Sequence, residues 1–307
     1  MTETPAVLVT WHPDIFLHDL SVAHVAMDQN RIATIQASIS SLAASGRVHL
    51  QLANPATQEQ FTRVHEPEYL ESLADTANLA AGELFAFDRE TRLSKHTWRA
   101  LQLSAGGACQ AVDAVMAGRA FHAFNVAYAG HHAQASHASG FCFTNPVAIA
   151  ALHARAQGVE RVAVLDIDTH SGNGTILTLL SHPEILFAET YQRGYPGSFL
   201  PGVRPEHILR EKCNQIREFG YGWTRLLDKV AAFNPQLVLV SAGFDAHRAD
   251  PLNIPGLADD HYVWIAEKIA SLGAPVVATL EGGYSVPDTA RCAALFVDRL
   301  SASVNTR

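Results

Sequence analysis

Four short segments concentrate residue types that can do chemistry: GHHAQASHASGFC over Gly130–Cys142, DIDTHSGNGT over Asp166–Thr175, SAGFDAHRADP over Ser241–Pro251 and LEGGY over Leu280–Tyr284. In an extended backbone, side chains two apart point the same way, so Asp168 and His170 can address one metal ion with Asp166 on the same side. Asp245, arriving from another segment, can complete a three-ligand site. Two carboxylates and one imidazole leave an open position on zinc, which is the arrangement of a catalytic rather than a structural site. They also offset the ion's charge, so a water there is acidified less than among three imidazoles, and a separate general base becomes useful. His131 and His132 are the candidates, and Asp166 and Asn173 can each hold one ring and fix its tautomer. Tyr284 follows a Gly-Gly turn that admits close approach, and its hydroxyl can donate to a developing oxyanion.

Each segment alone also has a plain structural reading. D-x-D-x-H can be an ion-paired strand end, HH a pair of partly buried histidines, SAGFDAHRADP a capping aspartate after a strand, and GGY a turn before a core tyrosine. His182 and His207 read as surface or capping residues, His137 and His247 as neighbours of the site. The coincidence of four such segments favours chemistry, because each follows a run that reads as a strand.

Those runs are Ala6–Trp11, Val48–Leu52, Phe124–Tyr128, Arg161–Asp166, Ile185–Thr190, Leu237–Ser241 and Pro275–Leu280. VAVLDID, LVLVSAGFD and VVATLEGGY are apolar almost to their polar or glycine-rich ends, as central parallel strands buried on both faces must be. Helical spacing predicts helices over Arg31–Ala44, Glu68–Leu79, Ser94–Ala117, Val147–Ala156, Trp223–Ala232, Ala258–Ser271 and Thr289–Leu300, several stopped by a glycine such as Gly46, Gly118, Gly158 or Gly273. The alternation is that of an α/β fold, in which ligands bind beyond the carboxyl ends of the strands. No composition shift or repeat divides the chain, so one domain over residues 1–307 is expected.

The 307 residues are 48% apolar and 17% charged, enough to bury a large core. A net charge of −8 without a Lys/Arg run opposes direct nucleic-acid binding. No apolar stretch long enough for a membrane span and no signal-peptide pattern at MTETPAVLVTWHPD point to the cytoplasm. The four cysteines, Cys109, Cys142, Cys213 and Cys292, lack C-x-x-C spacing and fit a reducing compartment.

GHHA…GFC, D-x-D-x-H-x-GNGT, SAGFDAHRADPL and LEGGY, in this order, resemble the zinc-dependent histone deacetylase family, which includes bacterial acetylpolyamine amidohydrolases and acetoin-utilisation proteins. Asn173 stands where class I members carry Asp, which sets the chain nearer the class II and bacterial members. Weaker matches run from VHEPEYL at Val64–Leu70 to the C-terminus, so the resemblance covers most of the chain. It implies a single arginase/deacetylase-like domain with a central, mostly parallel eight-stranded sheet and helices on both faces. It implies one zinc ion per chain on Asp168, His170 and Asp245, with His131 and His132 as the paired histidines and Tyr284 as the carbonyl-polarising tyrosine. Asp166 and Asn173 match the partners of the two histidines, Phe141 the aromatic wall of an acyl-lysine tunnel, Gly283 its floor, and Glu90, in DRETRLS, an acidic rim residue that orients substrate.

The implied activity is hydrolysis of the N-acyl amide, notably acetyl, of lysine in a peptide or of a related amine, through a zinc-activated water. A small-molecule amidohydrolase acting on acetylpolyamines is the first alternative, and a catalytically silent acyl-lysine or metabolite-binding protein the second. A ureohydrolase-like manganese enzyme would share the fold, but Ser171 and the HH pair disfavour it. Four departures from the family pattern stand out. Ser171 replaces a histidine after His170, and Ala127-Tyr128-Ala129 replaces an arginine-proline run. Glu189 and Tyr191 replace a Ser-x-His that helps a monovalent-cation site, which leaves a structural potassium ion open. LHDLSVAHVAMDQNR lacks a proline-rich HPE segment, so the entrance and the substrate can differ. Assembly as a homo-oligomer stays open.

Overall fold

The computed structural model describes residues 4–18, 30–86, 91–194, 200, 205–252 and 254–304. Its strands are β1 (Val7–Trp11), β2 (Val48–Leu52), β3 (Phe85–Ala86), β4 (Arg92–Leu93), β5 (His122–Asn125), β6 (Val162–Asp166), β7 (Ile185–Tyr191), β8 (Ile208–Lys212), β9 (Leu237–Ala242) and β10 (Val276–Leu280). The helices are α1 (Arg31–Ser40), α2 (Gln58–Thr62), α3 (Pro67–Ala74), α4 (Thr97–Met116), α5 (Pro146–Ala156), α6 (Asn173–Leu179), α7 (Ile216–Phe233), α8 (Asp259–Ala270) and α9 (Val286–Ser303). Eight strands form one sheet in the order β2-β1-β5-β10-β9-β6-β7-β8, while β3 and β4 make a separate antiparallel ribbon. Every pairing in the large sheet is parallel.

Successive residues of the central strands enter opposite cores, which is why those strands are apolar at every position. Val7, Ala163, Leu165, Val238 and Val276 pack with Ile35, Trp223, Tyr262 and Phe296 of α1, α7, α8 and α9. Leu8, Val162, Val164, Leu239 and Val277 pack on the other face with Ala108, Val112, Ile149 and Ile176 of α4, α5 and α6.

The apolar pattern stops along one line. Gln51, Thr10, Asn125, Thr279, Ser241, Asp166, Glu189 and Arg210 are successive partners across the whole sheet, a polar row at the carboxyl ends of the eight strands. The α4 backbone satisfies one end of it: Thr10 Oγ1 donates to the Gly107 carbonyl at 3.1 Å and Asn125 Nδ2 to the Ser104 carbonyl at 2.8 Å. Asp166 and Glu189, further along, face the site described below.

All seven expected strands are present, although β5 lies nearer the N-terminus than FNVAY suggests. Its ladder ends at Asn125 in the polar row, and Ala127 and Tyr128 already lead out of the sheet. The sequence reading misses β8, an edge strand whose ILREK is half-buried and carries three charges. It also misses α6, hidden inside the DIDTHSGNGT motif, and starts α7 seven residues late, because the cap is a Gln215–Glu218 capping box rather than a Ser, Thr or Asp. Among the described residues, no helix is long and apolar enough to cross a membrane.

His65, from VHEPEYL, braces the loop that carries the histidine pair. Its Nδ1–H donates to the Gln134 carbonyl at 3.0 Å, and its Nε2 accepts from Asn145 N at 3.0 Å. Burial lowers its pKa from a histidine's ordinary 6.5 to about 4, against two backbone hydrogen bonds that raise it. The unfolded chain therefore binds the extra proton between those values, so this contribution to stability is complete above pH 6.5 and is lost as pH falls towards 4. The loss amounts to about 3 kcal/mol. Urea unfolding at pH 7 and pH 4.5 should show it, and His65→Asn should flatten that difference while lowering stability at both.

Candidate active site

The four chemistry-bearing segments converge at the carboxyl ends of β5, β6, β9 and β10. Asp168 and His170 lie on the turn between β6 and α6, and Asp245 follows β9. One donor atom from each of the three falls within 4.8 Å of the others, and all three residues are buried. His170 Nδ1 lies 2.9 Å from both Asp168 Oδ1 and Asp245 Oδ2. Backbone N–H groups fix the remaining carboxylate oxygens: Thr169 N donates to Asp245 Oδ1 at 3.0 Å, and Gly282 N to Asp168 Oδ2 at 3.0 Å. Gly282 is required there, because a Cβ would stand 2.5 Å from Asp245 Oδ2 and 2.6 Å from Asp168 Oδ2.

A divalent cation fits this set. Asp245 Oδ2 is buried without a hydrogen-bond donor aligned to it. Four more carboxyl groups, Asp166, Asp168, Glu189 and Glu281, are buried with it. Burial, together with neighbouring acids, pushes Asp166 up to about 7, Asp245 to about 6 and Glu281 to about 8, and a cation placed among them would favour their charged forms. Asp168 goes the other way. Burial opposes its ionisation, but His131 and His170 beside it hold it well below the usual carboxylate range.

The two adjacent histidines have different partners. His131 Nδ1–H donates to Asp166 Oδ2 at 3.0 Å, whereas His132 Nδ1–H donates to the neutral amide Asn173 Oδ1 at 2.6 Å. Burial resists protonation of His131, but Asp166, Asp168 and Glu281 outweigh it and raise its pKa to about 10. Burial drives His132 well below 6.5, and the like charges of His131 and His170 add to this. With its proton on Nδ1, His132 keeps the Nε2 lone pair available. Gly140, at φ 54°, lets the chain pass His132: a Cβ there would lie 2.5 Å from the ring's Cδ2.

Tyr284 and Phe141 face each other edge to face, with ring centroids 6.2 Å apart. Burial pushes the Tyr284 phenol well above 10, so it keeps its proton and remains a donor. Gly283, at φ 123°, makes the turn before it. The structure thus brings together Asp166, Asp168, His170, Asn173, Asp245, His131, His132, Phe141, Gly283 and Tyr284. Glu90 lies outside the described residues. His137 is exposed, and His247 Nε2–H donates to Asp259 Oδ1 at 3.0 Å.

Four supporting residues were not singled out by sequence. Glu281, inside LEGGY, is fully buried, and its Oε2 accepts from Gly130 N at 2.6 Å and His131 N at 3.2 Å, tying the histidine loop to the tyrosine turn. Asp250 Oδ2 accepts from Tyr284 N at 2.6 Å and Ser285 N at 3.2 Å. Glu281 stands directly before the Gly-Gly of LEGGY and Asp250 near the end of SAGFDAHRADP, so an acid inside each motif is the available signal. Arg31 is buried and donates through Nε to the Gly283 carbonyl at 2.5 Å and through Nη2 to the Glu281 carbonyl, with its guanidinium 5.8 Å from the Tyr284 ring centroid. Arg210, on β8, pairs with Glu189. Neither arginine stands in a motif, so no local pattern announces it.

Residues 25–300 match the model of the histone deacetylase domain. The chain is 31% identical over 296 residues to an uncharacterised protein of Synechocystis sp., covering 93% of this chain and 96% of that one. It is 32% identical to the histone deacetylase-like amidohydrolase of Pseudomonas aeruginosa, covering 86% of this chain and 73% of that one. With acetylpolyamine amidohydrolase 1 of the same organism the identity is 34%, over 67% of this chain and 63% of that one. Among solved structures, the HD domain of HDA15 superposes with a TM-score of 0.89 at 26% identity, covering 98% of this chain and 90% of that one. The chain belongs to the histone deacetylase family, and the named relatives are deacetylases and amide hydrolases.

Proposed function

We propose that the protein is a zinc-dependent deacylase that hydrolyses the N-acetyl or a similar N-acyl amide of lysine or a related amine. The observation that carries this reading is the convergence of Asp168, His170 and Asp245 around a carboxylate oxygen with no aligned donor, beside a histidine held neutral and a phenol held protonated. Zinc, held by those three residues, would supply a Lewis acid for the acyl carbonyl and acidify a water. His132 takes the proton of the attacking water at Nε2, because Asn173 keeps the other ring proton on Nδ1. Tyr284 donates its hydroxyl to the carbonyl oxygen as negative charge develops there. His131, held by Asp166, stabilises that charge, and the proton gathered on the histidine pair passes to the leaving amine. Phe141 and Tyr284 wall the approach and exclude water from the acyl chain. Four buried cysteines, none of them in a disulfide, support a reducing compartment and hence the cytoplasm.

Relatives named polyamine deacetylase and acetylpolyamine amidohydrolase give a reason to test small amines beside peptides. The test is acetate release from an acetyl-lysine peptide, acetylputrescine and acetylspermidine by zinc-loaded protein, with Asp245→Ala as the metal-site control. Turnover lost in the control supports the reading, and the preferred substrate chooses between protein and polyamine. Zinc bound stoichiometrically with no turnover on any of the three would sink it in favour of a silent binding protein.

We infer that Arg210 stands in for a potassium ion at the position left open by sequence. Glu189 is already paired with Arg210 and accepts hydrogen bonds from Ser171 and Gly172. Turnover should be the same in potassium and sodium chloride at equal ionic strength, and a requirement for potassium would contradict this assignment.

A further inference from the structure

The polar row across the sheet ends at its β8 edge in an ion pair that reaches back to the candidate metal site. Glu189 and Arg210 are direct partners in the β7–β8 register, and Glu189 is fully buried. Its Oε1 accepts from Arg210 Nε at 2.5 Å and Ser171 Oγ at 3.0 Å, and its Oε2 accepts from Gly172 N at 2.9 Å. Arg210 Nη2 donates to Ser171 Oγ at 2.8 Å, and the guanidinium lies over the Tyr191 ring, 4.2 Å from its centroid. Both Tyr191 and Glu189, the two departures at this strand, therefore serve to seat one arginine.

Ser171 and Gly172 are the two residues between His170 and Asn173. A shift of either moves a donor atom of the metal set or the amide that orients His132. The carboxylate that grips them also stands beside another, since Glu189 and Asp166 are register partners on adjacent strands. Two buried acids side by side hold a loop only if a cation compensates them, and a guanidinium does this while presenting two N–H groups in a fixed fork.

We propose that Arg210 is a positioning residue for the loop from Asp168 to Asn173, setting through Glu189 both the metal affinity of His170 and the orientation of His132. The inference rests on the deacylase reading for its catalytic half; the metal half stands on the geometry of the loop. Arg210 is on an edge strand, and its contacts with Glu189 and Ser171 are what connect it to the loop, so its effect on the donors is indirect.

The test compares wild type, Arg210→Met, Arg210→Lys and the double variant Glu189→Gln/Arg210→Met. Zinc affinity is measured by chelator competition, kcat and KM on the best substrate of the panel at saturating zinc, and thermal unfolding on metal-free protein. Arg210→Met should weaken zinc binding about 10–100-fold and lower kcat with KM little changed, as loss of a residue supporting a metal ligand does. Arg210→Lys should recover part of the zinc affinity, since it keeps the charge without the fork. The double variant should bind zinc more tightly than Arg210→Met alone, because the buried charge and its partner leave together. Should Arg210→Met not fold, the lysine and double variants carry the same comparison against wild type. Zinc affinity and kcat equal to wild type in the 210 variants, or a double variant weaker than the single one, would overturn the proposal. Wild-type protein that binds zinc tightly but hydrolyses nothing would overturn the deacylase reading alone, and the zinc-affinity comparison would still decide the role of Arg210.

Discussion

Replacing His132 by alanine lowers turnover by about 10²–10⁴-fold, the range a positioned general base contributes, and leaves the zinc content unchanged. The two halves of that expectation come from different observations. The candidate metal donors are Asp168, His170 and Asp245, and His132 is not among them. It lies beside the donor set, with its ring centroid 5.8 Å from that of His170. Its role as base follows from its partner: an amide oxygen accepts the Nδ1 proton at 2.6 Å without adding charge, so Nε2 is presented as a lone pair. His131 has the opposite environment, with a carboxylate at 3.0 Å that favours its charged form. Environments that push two neighbouring groups apart assign base and charge stabiliser within the pair. Acetate release with zinc content measured on the same sample checks this, and a loss below about tenfold would move the base to His131. Asn173→Ala should act in the same direction but less strongly than His132→Ala, because the base remains and only its tautomer and orientation are released.

The site was legible in the sequence because its residues are brought together by a repeated local device. Each chemical residue follows a strand by a few positions, and parallel strands in register place all such ends on one edge of the sheet. D-x-D-x-H reads as a pair of donors from the two-residue period of an extended chain, whereas Asp168 and His170 stand on the bends after β6, where the turn rather than the strand brings them together. The carboxyl ends of β6, β9 and β10 could be read because those strands are apolar on both faces until the polar row begins. The supporting residues were not legible for the converse reason. Arg31 acts 250 residues away in sequence, on the carbonyl of Glu281. Arg210 acts across a strand pair whose second member is a half-buried edge with no apolar run to mark it. A buried cation and its carboxylate partner carry information only as a pair, and their sequence separation hides the pairing. Glu281 stays hidden in the sequence because a glutamate before Gly-Gly reads as a solvated turn, whereas its neighbours bury it completely.

Tyr284→Phe should reduce turnover by about 10²–10³-fold with little change in KM, the cost of removing one donor from an oxyanion. The small effect on KM follows from the geometry of the wall: the ring packs edge to face with Phe141, and phenylalanine preserves that surface. Only the hydroxyl is lost, and it matters where charge develops rather than where the acyl chain binds. The turn that presents it is strongly constrained. Asp250 accepts from the Tyr284 and Ser285 backbone, Arg31 holds the Gly283 and Glu281 carbonyls, and Gly282 N reaches Asp168. None of these contacts uses the hydroxyl, so the unfolding temperature of Tyr284→Phe should stay near that of wild type. A variant with unimpaired turnover would remove the phenol from the mechanism and leave carbonyl polarisation to the metal site. A variant with raised KM and unchanged kcat would instead make Tyr284 a binding residue, because it would show that the hydroxyl is used equally in the ground state and the transition state.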